Sequence, residues 1–236
     1  MIRLTDAIAD DYKILSAQTS PLICVDCDVM AYRQAWEVQK YLHTQVASGA
    51  MSSILMLVEH NPVITLGIHK AHNQLLHTEA QLASRDIAVI QTRRGGGSTA
   101  HNPGQLVIYP IVNLSACRFR VAPFVHYLEH IAMDVLARTG VQATRKRRYP
   151  GLWIDDRKIA SVGIQIAQGT SMHGIAINLY NDLGIFDHIV PCGIEGVEMT
   201  SALKEGGMIV PMQELKELVQ SSCISLLPNY VHERKG

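Results

Sequence analysis

The stretch IVPCGIEG at 189–196 sets a cysteine between a proline and a glycine, where packing rarely needs one. Pro191 and Gly193 bend the backbone around Cys192, which can project its thiol from a loop. An ordinary free thiol, with a pKa of about 8.5, is only a few per cent ionised at neutral pH, so nucleophilic use needs a cation nearby. Lys158 opens the strand-like run KIASVGIQIA, and a strand–loop return can bring its ammonium to the thiol. Sequence alone leaves that distance open, and with it the alternative that Cys192 is a small buried hydrophobe.

A second stretch, TRRGGGSTAHNPGQLVIYPIVNL at 92–114, follows two arginines with three glycines, a histidine and Pro-Gly. Gly95, Gly96, Gly97 and Gly104 let the backbone take positive φ and let a ligand sit on main-chain N–H groups. Arg93 or Arg94 can add a charge-assisted donor, and His101 can face the same pocket. The alternative is a plain glycine-rich loop with a satisfied surface histidine. The stretch is not G-x-G-x-x-G, a strand rather than a helix follows it, and no P-loop lysine is present, so the dinucleotide and P-loop readings fail on context. Cys24 and Cys27 form a lone C-x-x-C in a strand-like setting. Two further zinc ligands at matching spacing are missing, and the pair reads as ordinary buried cysteines.

These residues must be carried by a scaffold. AYRQAWEVQKYLHTQVAS places Ala31, Ala35, Val38 and Leu42 on one helical stripe, with Tyr32 and Trp36 beside it. SSILMLVEH, PVITLGI, DIAVIQT and GQLVIYPIVNL read as strands, and Pro110 argues that the last lies at an edge or carries a bulge. Residues 123–139 are the clearest helix, with Pro123 in the first turn and Gly140 at the C-terminal cap. GLWID, KIASVGIQIA and HGIAINL are three more strands, with Asp155-Asp156 as a hairpin turn after the first. In KIASVGIQIA, Ala160, Val162, Ile164 and Ile166 share one face, and Ser161, Gly163 and Gln165 the other. A last amphipathic helix starts near Pro211, with Leu215, Leu218 and Val219 inward. Strands outnumber helices without regular alternation, which predicts an α+β fold with a mixed β-sheet flanked by helices rather than a doubly wound one. Residues 1–25 are poorly patterned and read as an N-terminal arm; 26–236 read as a single catalytic domain.

At 236 residues the chain is long enough for a substantial core, and its zero formal net charge gives no global field towards nucleic acid or membrane. No apolar run reaches the roughly 18–20 residues of a membrane span, and the N-terminus lacks the order of a signal peptide. The five cysteines are odd in number and scattered, unlike a disulfide framework. A cytoplasmic enzyme, expected as a monomer without metal or cofactor, is the consistent reading.

Four segments resemble the octanoyltransferase family of lipoate biosynthesis: LVEHNPVITLG, RGGGSTAHNPGQLVIYPIVNL, GLWIDDRKIASVGIQI and HGIAINLYNDLGIFDHIVPCGIEGVEMTS. They occur in family order over roughly residues 28–205, and the K-I-A-S-V-G, H-G-x-A-x-N and P-C-G-I motifs are specific. The resemblance implies the fold of biotin- and lipoate-protein ligases. It implies transfer of octanoyl from acyl carrier protein to the lysine of lipoyl domains, those of 2-oxoacid dehydrogenases and the glycine cleavage H protein. Cys192 matches the nucleophile that carries the acyl group as a thioester, and Lys158 the residue that activates it. Arg94, Gly95, Gly96, Gly97, Ser98, Thr99, Ala100 and His101 would line the acyl tunnel and thioester site with Ser161, Val162, Gly163, Gly174, Ile175 and Ala176.

The chain departs from that pattern at three places, which bear on acyl-chain length and donor more than on the chemistry. Asn102 stands where the family has glycine in H-G-P-G-Q. Gly97-Ser98-Thr99-Ala100 replaces a larger residue followed by V-T-[YF]. Ile68 follows Gly67 where Arg or Gln is commoner. Arg145, Lys146, Arg147 and Arg148 form a basic run that can steer an acidic carrier or lipoyl domain, or be a solvated turn. An ATP-dependent lipoate- or biotin-protein ligase is the competing activity; it also needs a lysine at 158 but has no use for a thiol at 192. An inactive acyl-binding module is the third reading.

Overall fold

In the computed structural model, which describes residues 13–14 and 22–232 (side chains only for 22–223), apolar runs form the middle of a large mixed sheet. The elements run β1 (Lys13–Ile14), β2 (Leu22–Met30), α1 (Tyr32–Ala47), β3 (Ser53–His60), β4 (Val63–Leu66), α2 (Glu79–Ala83), β5 (Ala88–Gln91) and β6 (Thr99–His101). They continue with β7 (Gln105–Ile111), α3 (Val121–Arg138), β8 (Thr144–Lys146), β9 (Tyr149–Ile154), β10 (Arg157–Ala167), β11 (Thr170–Asn178), β12 (Glu198–Met199) and α4 (Met212–His232). Much of the arm expected at 1–25 lies outside the described residues. Within it, β1 pairs antiparallel with β2, and Leu22, Cys24 and Val25 are buried in β2.

The main sheet has the order β1-β2-β3-β7-β11-β10-β9-β8, with β12 beside β10; a small second sheet is β5-β4-β6. β2–β3 and β10–β12 pair parallel, and the other pairs of the main sheet are antiparallel. Val25, Met56, Val107 and Ile111 face α1 on one side, while Leu55, Leu106, Ile108 and Ile177 meet α3 and α4 on the other. The expected α+β architecture, a mixed sheet with helices on its faces, is what the chain adopts.

Three details differ from expectation. The buried stripe of α1 is Tyr32, Ala35, Gln39, Leu42 and Val46, and Ala31 is its exposed N-cap, so the helix is turned from the predicted face. Leu218 of α4 is only half-buried, whereas Lys216 is fully inside, paired with Asp26 at 2.5 Å. Pro110 sits in a central strand, β7, not at an edge. The β7–β11 ladder is interrupted there: Ser171 Oγ donates to the Pro110 carbonyl at 2.7 Å and accepts from the Val112 amide at 3.0 Å. The Ser171 hydroxyl thus satisfies the Pro110 carbonyl and the Val112 amide where the ladder breaks. Cys24 and Cys27 are buried thiols of β2, in no disulfide. Burial pushes both pKa values up, Cys27 to about 12, which makes them inert.

Candidate active site

Lys158 reaches the site because β10 is irregular where it begins. The β9–β10 register shifts between Lys158 and Ala160, after the tight Asp155-Asp156 hairpin. Opposite lies Gly151 at φ 116°, where an added Cβ would stand 2.2 Å from the Ala160 carbonyl and 3.0 Å from Lys158 Cε. The Ala160 carbonyl therefore admits only glycine at 151, and the lysine stem packs against it. The stem is buried, and its Nζ lies 5.1 Å from the centre of the Trp153 ring. The same Nζ donates to Cys192 Sγ at 3.5 Å.

Cys192 occupies a 3₁₀ turn, Pro191–Gly193, and has φ 58° and ψ 10°. That left-handed geometry costs a non-glycine residue roughly 1–2 kcal/mol. It is held by the Cys192 amide, which donates to the Ser98 carbonyl at 2.8 Å. Ser98 Oγ in turn donates to the Val190 carbonyl at 2.7 Å. The glycine loop and the cysteine loop are therefore one unit. Beneath them, Gly97 lies against the turn Lys70–His72: a Cβ there would be 2.2 Å from the His72 carbonyl. The family's larger residue does not fit at 97 in this chain.

Arg94 is buried below the loop. Its Nε donates to Thr65 Oγ1 at 2.9 Å, its Nη2 to the Thr65 carbonyl at 2.6 Å, and its Nη1 to the Gly95 carbonyl at 3.1 Å. Among the described residues no carboxylate pairs with it. Burial lowers its pKa, offset by the neighbouring Tyr32, Cys192 and Tyr109.

Two spaces meet at Cys192. The inner one is a narrow, mostly apolar cavity. Of the expected residues, Arg94, Gly96, Thr99, His101, Ser161, Val162, Gly163, Gly174, Ile175, Ala176 and Cys192 line it. The outer one is an open groove bordered by Lys158, Gly95, His69, His72, Arg148 and Tyr149. Gly96, Val162, Gly163 and Cys192 border both. Three expected lining residues do not line either: Gly97 and Ser98 brace the loops, and Ala100 packs into a separate small core with Ile64 and Ile185. Asn102, at the family's glycine position, donates to the Asp182 carbonyl at 2.8 Å and accepts from Asn181 Nδ2 at 3.1 Å, which makes it a loop anchor.

Buried rings that sequence reasoning missed, apart from His101, also line the cavity: Tyr32, Tyr109 and His173, with His60 behind Tyr109. Tyr109 Oη bonds His60 Nε2 at 2.8 Å, and Tyr32 Oη lies 3.3 Å from His173 Nδ1. Burial pushes the histidines towards neutrality, His60 to about 4 and His173 to about 3, and raises Tyr32 to about 12. Their signal in the sequence was weak, because His60, Tyr32 and Tyr109 come from separate elements and converge only when β3, β7 and α1 pack. Among the described residues, no group of three or more His, Cys, Asp or Glu is arranged for a metal ion, and no helix is long and apolar enough to cross a membrane.

In summed geometry, a thiol and an ammonium meet where an apolar cavity opens into a groove, which suits acyl transfer through a thioester. The lipoyl protein ligase A/B catalytic domain matches residues 31–224. An octanoyltransferase of Dictyoglomus thermophilum is 39% identical over 199 residues, 84% of this chain and 83% of that protein. One of Chloroflexus aggregans is 40% identical over 196 residues, 81% and 89% of the two chains. Lipoate-protein ligase A with bound ATP shares the fold, with a TM-score of 0.64 at 13% identity over 91% of this chain and 96% of that one. So does a putative lipoate protein ligase of T. acidophilum with bound lipoic acid, with a TM-score of 0.63 at 12% identity over 87% and 85%. The chain belongs to the octanoyltransferases of the lipoyl protein ligase A/B family.

Proposed function

We propose that this chain moves an octanoyl group from acyl carrier protein to the lysine of lipoyl domains through a thioester on Cys192. The observation that carries the reading is the 3.5 Å contact of Lys158 Nζ with Cys192 Sγ at the mouth of the cavity. The Cys192 thiolate attacks the donor thioester carbonyl, and the carrier thiolate leaves with a proton from Lys158. The amine of the acceptor lysine then attacks the enzyme thioester. Neutral Lys158 takes the proton that this amine loses, and the Cys192 thiolate is expelled. Overall one C–S bond breaks and one C–N bond forms. The amides of Cys192, Gly193 and Gly95 are committed to the Ser98, Val190 and Ile164 carbonyls. We assign the oxyanion to the amide of Gly96, whose residue borders both spaces.

Steering of acidic partners narrows within the basic run. Arg145 bonds Glu129 at 2.9 Å, and Lys146 bonds Asp156 at 2.5 Å. Arg147 and Arg148 are exposed, and Arg148 borders the groove.

The test is the intact mass of the enzyme after mixing with octanoyl carrier protein alone. An adduct of one octanoyl group, labile to hydroxylamine and absent from Cys192→Ala, is expected. Product formed without any adduct would replace the thioester route by direct transfer. Lipoyl domain modified by free octanoate, ATP and magnesium would favour the ligase reading.

A further inference from the structure

After Gly67 leaves β4, the chain crosses both loops of the site before α2 begins. The Ile68 amide donates to the Arg94 carbonyl at 3.0 Å, and the His69 amide to the Gly96 carbonyl at 3.3 Å. The His72 carbonyl accepts from the Ser98 amide at 3.0 Å and from Ser98 Oγ at 3.3 Å. The Gln74 carbonyl accepts from the Val190 amide at 3.1 Å, and the Leu76 amide donates to the His188 carbonyl at 2.9 Å. Residues 67–76 are thus a strap that grips the glycine loop with its first part and the cysteine loop with its second. The fit is close. A Cβ on Gly67 would stand 2.1 Å from the Gly96 carbonyl oxygen, and one on Gly193 would stand 2.5 Å from His72 Cβ.

Little core holds the strap. Ile68, His69, Lys70, Ala71 and His72 are all exposed. Hydrogen bonds rather than apolar burial therefore fix its course. One side chain closes it. Asn73 Oδ1 accepts from the Gly67 amide at 3.0 Å, and Asn73 Nδ2 donates to the Gly67 carbonyl at 2.7 Å. This two-bond clasp ties the ends of the loop 67–73 together. Gln91 Nε2 adds a longer bond to the same carbonyl, at 3.2 Å. Asn73 itself borders neither space at Cys192.

We propose that Asn73 is a positioning residue for acyl transfer. By closing the strap it holds Gly96 and Ser98 in place, and the Ser98 carbonyl holds the strained Cys192 turn through the Cys192 amide. The kinetic part of the proposal rests on the acyl-transfer reading; the structural part does not.

The experiment compares the wild-type protein with Asn73→Ala, Asn73→Asp and Thr78→Ala. Thr78→Ala is the control for a merely structural loss: it removes the capping box of α2 further along the same connection. Amide hydrogen exchange reads the loops without any chemistry. The Ser98, Val190 and Cys192 amides should exchange about tenfold faster or more in Asn73→Ala, as two hydrogen bonds are lost, and stay near wild type in Thr78→Ala. The maximal rate of Cys192 acylation by octanoyl carrier protein should fall by about tenfold in Asn73→Ala, with the half-saturating carrier concentration within about twofold of wild type. Asn73→Asp keeps an acceptor for the Gly67 amide, while Gln91 still serves the carbonyl, so it should recover most of both. Unchanged exchange in Asn73→Ala overturns the proposal. So do equal effects in Thr78→Ala, a raised half-saturation with an unchanged maximal rate, or an Asn73→Asp protein no better than Asn73→Ala. If Asn73→Ala does not fold, an Asn73→Asp protein far slower than wild type also overturns it. Failure of the thioester reading looks different: wild-type Cys192 forms no adduct, while the exchange rates still decide whether Asn73 holds the loops.

Discussion

The Cys192 amide donates to the Ser98 carbonyl at 2.8 Å, so the two stretches that stand out in the sequence are bonded to each other. The glycine loop carries the strained turn that presents the thiol, and its integrity should matter as much as the thiol itself.

Cys192→Ala should lose transfer, to below a few per cent of wild type, while keeping the fold, because the residue is half-buried at a surface turn. Turnover and a thermal melt check both halves. Substantial residual turnover would exclude the dyad.

Lys158→Ala should slow acylation at neutral pH and recover towards pH 9. At higher pH hydroxide can take the thiol proton that Lys158 Nζ, 3.5 Å from Cys192 Sγ, would otherwise help to remove. Rates of adduct formation from pH 6.5 to 9 read this. Recovery of the second half-reaction should be poorer, since the acceptor amine still lacks its base. A variant acylating as fast as wild type at pH 7 would remove Lys158 from the mechanism.

Gly97→Ala should impair the site without touching substrate. Its Cβ would stand 2.2 Å from the His72 carbonyl, backbone that cannot swing aside. A loss of about 1–3 kcal/mol in a urea melt is expected, together with at least a tenfold fall in turnover.

Lys216 and Asp26 form a buried pair, 2.5 Å apart and 190 residues apart in the chain. Lys216→Met alone strands a buried carboxylate and should cost about 3–5 kcal/mol. Combining it with Asp26→Leu should restore most of that stability, read in the same denaturant series.

Acid should destabilise the fold through its buried histidines. His60 is pushed from 6.5 to about 4 and His173 to about 3, so the unfolded chain binds protons that the native one refuses. Their contribution is complete above pH 6.5 and falls as pH drops towards those values, by about 1.4 kcal/mol per pH unit for each histidine. Urea melts at pH 7, 6 and 5 give the slope, and His60→Gln should flatten it by about one proton.

What the sequence by itself determined are the features set by near neighbours. The alternation of Ala160, Val162, Ile164 and Ile166, the Asp155-Asp156 turn, the long helix before Gly140 and the bent setting of Cys192 follow from side-chain periodicity and from proline and glycine geometry. The motifs also carried the family, since their spacing reports a shared scaffold. Tertiary structure alone decided what depends on contacts across elements. Pro110 could sit in a central strand because Ser171 of β11 supplies hydrogen bonds in the gap. Gly151, a plain strand residue in sequence, proved to be held to glycine by the Ala160 carbonyl, with the Lys158 stem beside it. The 3.5 Å between Lys158 and Cys192, 34 residues apart, depends on how β9, β10 and the glycine loop pack. No local preference encodes that distance, because it is fixed by partners remote in the chain.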